Sequence, residues 1–196
     1  MLYYRKLFSA DAPKIEAHFL DLSPEDRRRR FHSLLGDDAI RAYCRGFDWS
    51  ERAVIGAFDL DRLVGIAECV RVADGNVEIA VSVDARWQHH GVGRELVRRA
   101  AASAANSGAA TAVLDYAPGD TSIPHIARSL GGAVDGTRSV AQIALPAHDA
   151  AAEIEELIED FGAALAGAFE AALWPWRFAA AAIAPGATID RGVAER

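Results

Sequence analysis

Val81-Ser82-Val83-Asp84-Ala85-Arg86-Trp87-Gln88-His89-His90-Gly91-Val92-Gly93-Arg94-Glu95-Leu96 joins three kinds of sequence pattern in one short run. Before it, Val77, Ile79, Val81 and Val83 alternate with Glu78, Ala80 and Ser82. A period of two predicts a strand, with Glu78 on the face opposite the valines. After it, Leu96, Val97, Ala100 and Ala101 recur at helical spacing, and Asn106-Ser107-Gly108 supplies a stop. Between them lies a loop punctuated by glycines, Trp87 to Gly93. Strand, glycine loop and helix in that order favour anion capture. Successive backbone N–H groups in the turn converge on one point, and the helix N-terminus adds unpaired donors and a positive dipole end. A pyrophosphate fits such a cradle. Two better-known loops are excluded: a P-loop needs Lys-Ser/Thr after its last glycine, where Arg94-Glu95 stands, and a dinucleotide fingerprint needs a third glycine, where Leu96 stands.

Working outward, Tyr3 to Phe8 reads as a short edge strand. Asp11 and Pro13 open a helix whose face carries Ile15, Phe19 and Leu22. Ser23, Pro24 and Asp26 form the start of another, with Ser23 as N-cap. Asp37 and Asp38 open a short third helix through Tyr43. Ala53 to Phe58 and Leu63 to Val72 make a hairpin, and Asp74-Gly75-Asn76 turns the chain into the strand that carries Glu78. Beyond the central helix, Thr111 to Asp115 reads as a strand, Thr121 to Leu130 as a helix, and Ala133-Val134 and Thr137 to Leu145 as the last strands. The order predicts an α+β (mixed α/β) fold, with a mostly antiparallel sheet and helices on both faces.

The 196 residues suffice for one domain and an appendage, and 51% hydrophobic with 25% charged residues is a globular balance. A net charge of −7 argues against non-specific nucleic-acid binding. Cys44 and Cys69 are too far apart for a metal or redox pair and read as reduced thiols. The N-terminus has no apolar signal core, and the Ala-rich region 161–184 is interrupted by Glu170, Pro175 and Arg177. A cytoplasmic bacterial protein, free of nucleic acid and membrane, is the expectation.

Gln88-x-x-Gly91-x-Gly93, after an alternating strand and before a helix, resembles the acyl-CoA pyrophosphate loop of the GNAT superfamily of N-acetyltransferases. The element order from Leu2 to Leu145 matches that fold too. Leu22-Ser23-Pro24-Glu25-Asp26-Arg27-Arg28-Arg29-Arg30-Phe31-His32 resembles the Leu-Ser-Pro-Glu-x-Arg-x-x-Arg-Phe stretch of bacterial GNAT domains related to protein lysine acetyltransferases. Val77 to Val81 is similar to the strand that carries the glutamate general base in that group. The resemblance implies a GNAT-like transferase domain over 1–145 and a helical extension over 146–196. It implies acetyl-CoA as co-substrate, no metal, and an amine acceptor, either a protein lysine or a small molecule. Val81 and Val83 would offer backbone groups to the pantetheine arm, and Ser82 between them would belong to the same cofactor site. Gln88, His89, His90, Gly91, Val92 and Gly93 would offer amides to the pyrophosphate. Arg94 would add a charge-assisted contact, an exposed helix arginine being the alternative. Glu78 would be the base. Family members often carry an Asn at the start of the last helix and a Tyr near its end as acid to the thiolate. Here Asp120-Thr121-Ser122 and Leu130-Gly131-Gly132 stand at those places, which leaves Tyr116 or water.

Other readings accompany these residues. Glu78 is alternatively a solvent-facing charge, and Glu68 is the second strand carboxylate able to act as base. His89 and His90 read as solvated loop residues, while His125 stands near the expected thiol end. Arg27 to Arg30 read as a solvated helix face paired with Glu25 and Asp26, the alternative being a basic patch that attracts an acidic acceptor or protein. Ile154, Leu157, Ile158, Phe161, Leu165, Phe169 and Leu173 form an amphipathic stripe that packs on its own domain or on a homodimer mate, with Trp174 and Trp176 as anchors. The alternative to an enzyme is a domain that binds acyl-CoA without turnover, as a sensor or assembly module.

Overall fold

The computed structural model describes residues 2–72 and 75–146. The amphipathic stripe, Trp174, Trp176, the 146–196 extension and any dimer contact through it lie outside the described residues. Seven strands form one sheet: β1 (Leu2–Lys6), β2 (Arg52–Asp59), β3 (Arg62–Arg71), β4 (Asn76–Val83), β5 (Thr111–Asp115), β6 (Ala133–Asp135) and β7 (Val140–Ala144), in the order β1-β2-β3-β4-β5-β7-β6. Every neighbouring pair is antiparallel except β4 and β5, which run parallel. Helices α1 (Ala12–Asp21), α2 (Pro24–Phe31) and α3 (Asp37–Arg45) precede β2, and α4 (Val92–Asn106) and α5 (Ser122–Ser129) flank β5. The predicted mixed fold is the one found.

Alternation along the strands feeds two cores. Val77, Ile79, Ala112 and Leu114 pack under α4, through Leu96, Val97, Ala100 and Ala104, and α5 adds Ala127. On the other face Val54, Phe58 and Ile66 pack under Ile15 and Phe19 of α1 and Ile40 of α3. Cys44 and Cys69 are free and buried, and burial pushes both thiols up to about 11. Where the chain leaves α5 it passes so close to β7 that a Cβ on Gly132 would stand 2.5 Å from the Gln142 carbonyl oxygen. Among the described residues no helix is long and apolar enough to cross a membrane.

Two predicted caps differ in outcome. The Ser23 hydroxyl accepts from the Asp26 N–H at 3.1 Å, as the capping pattern requires. Asp11 precedes α1 but makes no side-chain cap. Its carboxylate is taken by Arg5, at 2.6 and 2.8 Å, and by the Phe8 N–H at 3.1 Å. A charged bidentate partner from β1 outcompetes the helix amides.

The sheet is continuous from β1 to β4, then parts. β4 pairs with β3 along its whole length, to Gly65↔Val83. Its pairing with β5 ends at Glu78↔Val113. The Val72 N–H donates to Asn76 O at 3.0 Å and the Asp84 N–H to Val64 O at 2.8 Å. Those bonds fix the phase of the antiparallel ladder. Glu78, Ala80 and Ser82 direct their main-chain groups to β3, while Val77, Ile79, Val81 and Val83 direct theirs toward β5. Past the split, Val81 and Val83 therefore present backbone groups to a gap.

His18 of α1 is buried, with Nε2 2.9 Å from the Ser82 hydroxyl. Burial pushes its imidazole down to about 4, with Asp84 opposing and Arg30 assisting. The unfolded chain therefore binds the proton more readily, so stability falls as pH drops from about 6.5 toward about 4. The expected loss over that window is roughly 3 kcal/mol. Urea midpoints measured across it should slope steeply in the parent and flatten in His18→Gln. An unchanged slope would show that another group drives the acid transition.

Candidate active site

A cavity of about 800 Å³ opens at the split. Its walls are β4 from Glu78 to Val83, α2, the loop before α4, the end of β5 and the first turns of α5. Asp84 starts this loop, accepting from the Arg86 N–H at 3.1 Å and pairing with Arg62 at 2.8 Å. Gln88 then folds back. Its side-chain amide donates to Val83 O at 3.0 Å and to Asp26 Oδ1 at 3.2 Å. The loop is thus stapled both to β4 and to α2. His89 and Gly91 have φ of 61° and 80°. The second costs nothing only because glycine lacks a Cβ. The His90 Nδ1 lies 2.6 Å from Gln88 O, so Nδ1 carries the proton. Val92 begins α4, which leaves the amides of Val92, Gly93 and Arg94 without partners inside the helix. The side chain of Val92 is buried in the core. Gly93 has ordinary helical torsions, and a Cβ there would meet Ile126 Cδ1 at 3.4 Å. Arg94 is exposed and its Nε donates to Ser129 Oγ at 3.1 Å, tying α4 to α5.

Ser82 lines the cavity but turns its main chain away from the gap. Its main chain pairs with Ile66 of β3 and its hydroxyl with His18. Only its neighbours Val81 and Val83 offer main-chain groups to the gap, and Gln88 already occupies the Val83 carbonyl.

Glu78 stands at the split, exposed, on the same face as Ala80 and across from Val70. Its carboxylate makes no ion pair or hydrogen bond with any described residue. Glu68 is its opposite. It is 1% exposed and ion-paired with Arg30 and with Arg52, at 2.9 Å to the latter, and it accepts from the Tyr43 hydroxyl at 2.7 Å. Two guanidiniums and a phenol hold its lone pairs, so it is a structural anion and not a free base.

Arg30 also corrects the reading of its own helix. Only Arg28, which is exposed, and Arg29, paired with Glu25, behave as parts of a solvated face. Arg30 has a 7% exposed side chain. Arg27 turns in to Leu20 O at 2.6 Å and Asp37 at 2.8 Å. The two arginines that face inward are the two named in the Leu-Ser-Pro-Glu-x-Arg-x-x-Arg-Phe pattern, a signal that charge counting passed over.

Tyr116 is buried, touches the cavity, and sends its hydroxyl to Asp135 O across a long 3.4 Å contact. His125 is exposed and lines the cavity from α5, and His89 lines it from the loop. Sequence reasoning does not reach several of the lining residues, among them Asp26, Tyr43, Arg52 and Asp115. Alternation alone assigns Arg52 and Asp115 to faces, but not to one side of one cavity.

A mixed sheet that parts between two parallel strands, with a glycine turn and a helix N-terminus at the mouth, is the frame of an acyl-donor transferase. The chain belongs to the acetyltransferase (GNAT) family, whose sequence profile matches residues 14–130. Acetyl-CoA is the donor that this family uses. Solved structures share the fold at low identity. The GNAT domain of S. lividans PAT is 18% identical, with a TM-score of 0.60 over 71% of this chain and 86% of that one. The ribosomal-protein-alanine N-acetyltransferase from Brucella melitensis is 18% identical, with a TM-score of 0.59 over 73% and 99%. The acetyltransferase yncA from Salmonella typhimurium, solved with its cofactor acetyl-CoA, is 20% identical, with a TM-score of 0.58 over 76% and 97%. Comparison with curated proteins gives no sequence match.

Proposed function

We propose that residues 1–145 form a transferase domain that moves an acetyl group from acetyl-CoA directly to a primary amine in the cytoplasm, with Glu78 as general base. One observation carries this reading: the open edge of β4 at Val81 and Val83 runs from the glycine loop to Glu78. A pantetheine arm carries amides and can pair with that edge as a strand would. The amides of Gly91 to Arg94 and the dipole of α4 suit a pyrophosphate at its far end.

The chemistry needs little more. An ammonium acceptor loses a proton to Glu78, directly or through one water. The amine nitrogen then forms a bond to the thioester carbonyl carbon. A backbone N–H near Val81 polarises that carbonyl in this reading, and positioning of both partners supplies much of the rate. The C–S bond breaks, the nitrogen gives its second proton to water, and the thiolate takes up one proton, leaving the amide and free CoA. Because the Tyr116 hydroxyl is directed at Asp135 O, water is the favoured acid. The lack of an Asn at the start of α5 and of a Tyr near its end favours a second reading, a module that binds acyl-CoA without turnover.

Calorimetry with acetyl-CoA tests the donor site. Micromolar binding is expected, with a loss of at least tenfold in Gly91→Glu. A carboxylate at that position repels the pyrophosphate, and its Cβ strains a φ of 80°. Unchanged affinity in the variant would remove the loop from the site. Binding without turnover over a broad panel of amines would favour the module.

A further inference from the structure

The cavity has two electrical ends. Arg52, Val70 and Glu78 lie in register on three adjacent strands, on one face of the sheet. Two strand spacings separate Arg52 from Glu78, about 10 Å between backbones. Beyond Glu78, Val113 is its partner on β5 and Asp115 shares that face. Glu78 and Asp115 make one end anionic. At the other end Arg52 and Arg30 share a single carboxylate, Glu68, with Tyr43 as a neutral partner. Burial and the nearby Glu68 push the Tyr43 phenol up, so it brings no second negative charge. That wall therefore holds one positive charge in excess. It is also short of acceptors, because the buried Nε of Arg30 has no hydrogen-bond partner. Arg30 is paired with Glu68, so the charge in excess is that of Arg52, which a ligand anion would answer.

Arg52 is the member that a ligand can reach, with 21% of its side chain exposed. Its Nη1 is committed to Tyr43 at 3.0 Å and to Glu68 at 2.9 Å. Its Nε and Nη2 make no bond with any described residue. The guanidinium lies 4.6 Å from the Phe47 ring centroid and 5.6 Å from that of Tyr43. A planar fork held this way meets a carboxylate without further loss of freedom. Val70 gives the span between the two ends an apolar floor.

We infer that the amine acceptor is a small molecule carrying its own carboxylate, an amino acid, with Arg52 holding the carboxylate and Glu78 facing the amine. The inference rests on the proposed function above. A lysine side chain of a protein brings a cation to the cavity and nothing that answers Arg52.

The test compares matched acceptors with the purified full-length protein. Each of the common amino acids is assayed with acetyl-CoA beside its primary amide, with lysine peptides in the same series. In at least one pair the acid should exceed the amide in kcat/KM by tenfold or more. Arg52→Gln should erase that preference by raising KM for the acid, with kcat changed less than threefold and acetyl-CoA affinity unchanged. Arg52→Lys, which keeps the charge and loses the fork, should retain part of the preference, and melting curves check that both variants fold. Equal rates for acid and amide, or preferred turnover of lysine peptides, would overturn the inference while leaving the transferase reading intact. An equal loss on acids and amides in Arg52→Gln would do the same. A protein that binds acetyl-CoA but acetylates none of these amines would remove the transferase reading, and the inference with it.

Discussion

Glu78→Gln is expected to lower kcat/KM for amine acetylation by at least about a hundredfold near pH 7, the usual worth of a positioned base. The acetyl-CoA dissociation constant should stay within about twofold, since Glu78 has no part in the loop. Stability should also hold, to within about 0.5 kcal/mol, because an exposed carboxylate without partners is exchanged for its isostere. Raising the pH should restore part of the rate, as a larger share of the amine arrives already neutral. Full activity at neutral pH would move the base elsewhere, and His125 on the same cavity would be the next residue to replace.

Glu68→Leu should do its damage to folding instead. Removing the carboxylate leaves Arg30 and Arg52 facing each other across a buried site with only Tyr43 between them. Breaking a buried pair from one side costs about 3–5 kcal/mol, since the partner's charge stays buried without compensation. Urea denaturation of the variant against the parent measures this directly. Adding Arg30→Met to Glu68→Leu should recover part of the loss, because a long apolar chain fills the same space without a charge. A penalty under about 1 kcal/mol for the single change would mean that water or a shift of Arg52 relieves the cluster.

The contrast between these carboxylates marks what a linear reading reaches. Both sit at alternate positions of strands, and both fall on the same face of the sheet. Periodicity places them there but does not reveal what stands above them. Glu68 lies under α2 and α3, whose arginine and tyrosine close over it, and Glu78 lies exposed at the split with no side chain among the described residues bonded to it. The strand, glycine loop and helix around Gly91 were legible because each is local, set by spacing and by one residue's torsion. The bond that holds the Ser82 hydroxyl is illegible for a related reason. Its partner, His18, is 64 residues away, and no periodicity spans that distance. Asp11 was read as a cap because caps are local, and the competitor, Arg5, belongs to another element. The dipolar cavity is less legible still, since Arg52, Glu78 and Asp115 come from three strands whose order is set by the fold.

The parting of β4 from β5 also acts as a gauge of cross-section. A sheet edge on the outside of a protein accepts any strand, with side chains standing on both of its faces. Here the edge lies inside the sheet, between β4 and β5, with helices over both faces. A peptide strand would have to fit its side chains under α4 on one side and α2 on the other. A thin chain of amides and methylenes, such as the unbranched thiol half of a pantetheine arm, meets no such obstacle. The same main-chain groups that would invite aggregation at a rim are reserved, by their position alone, for a guest narrow enough to thread the slot.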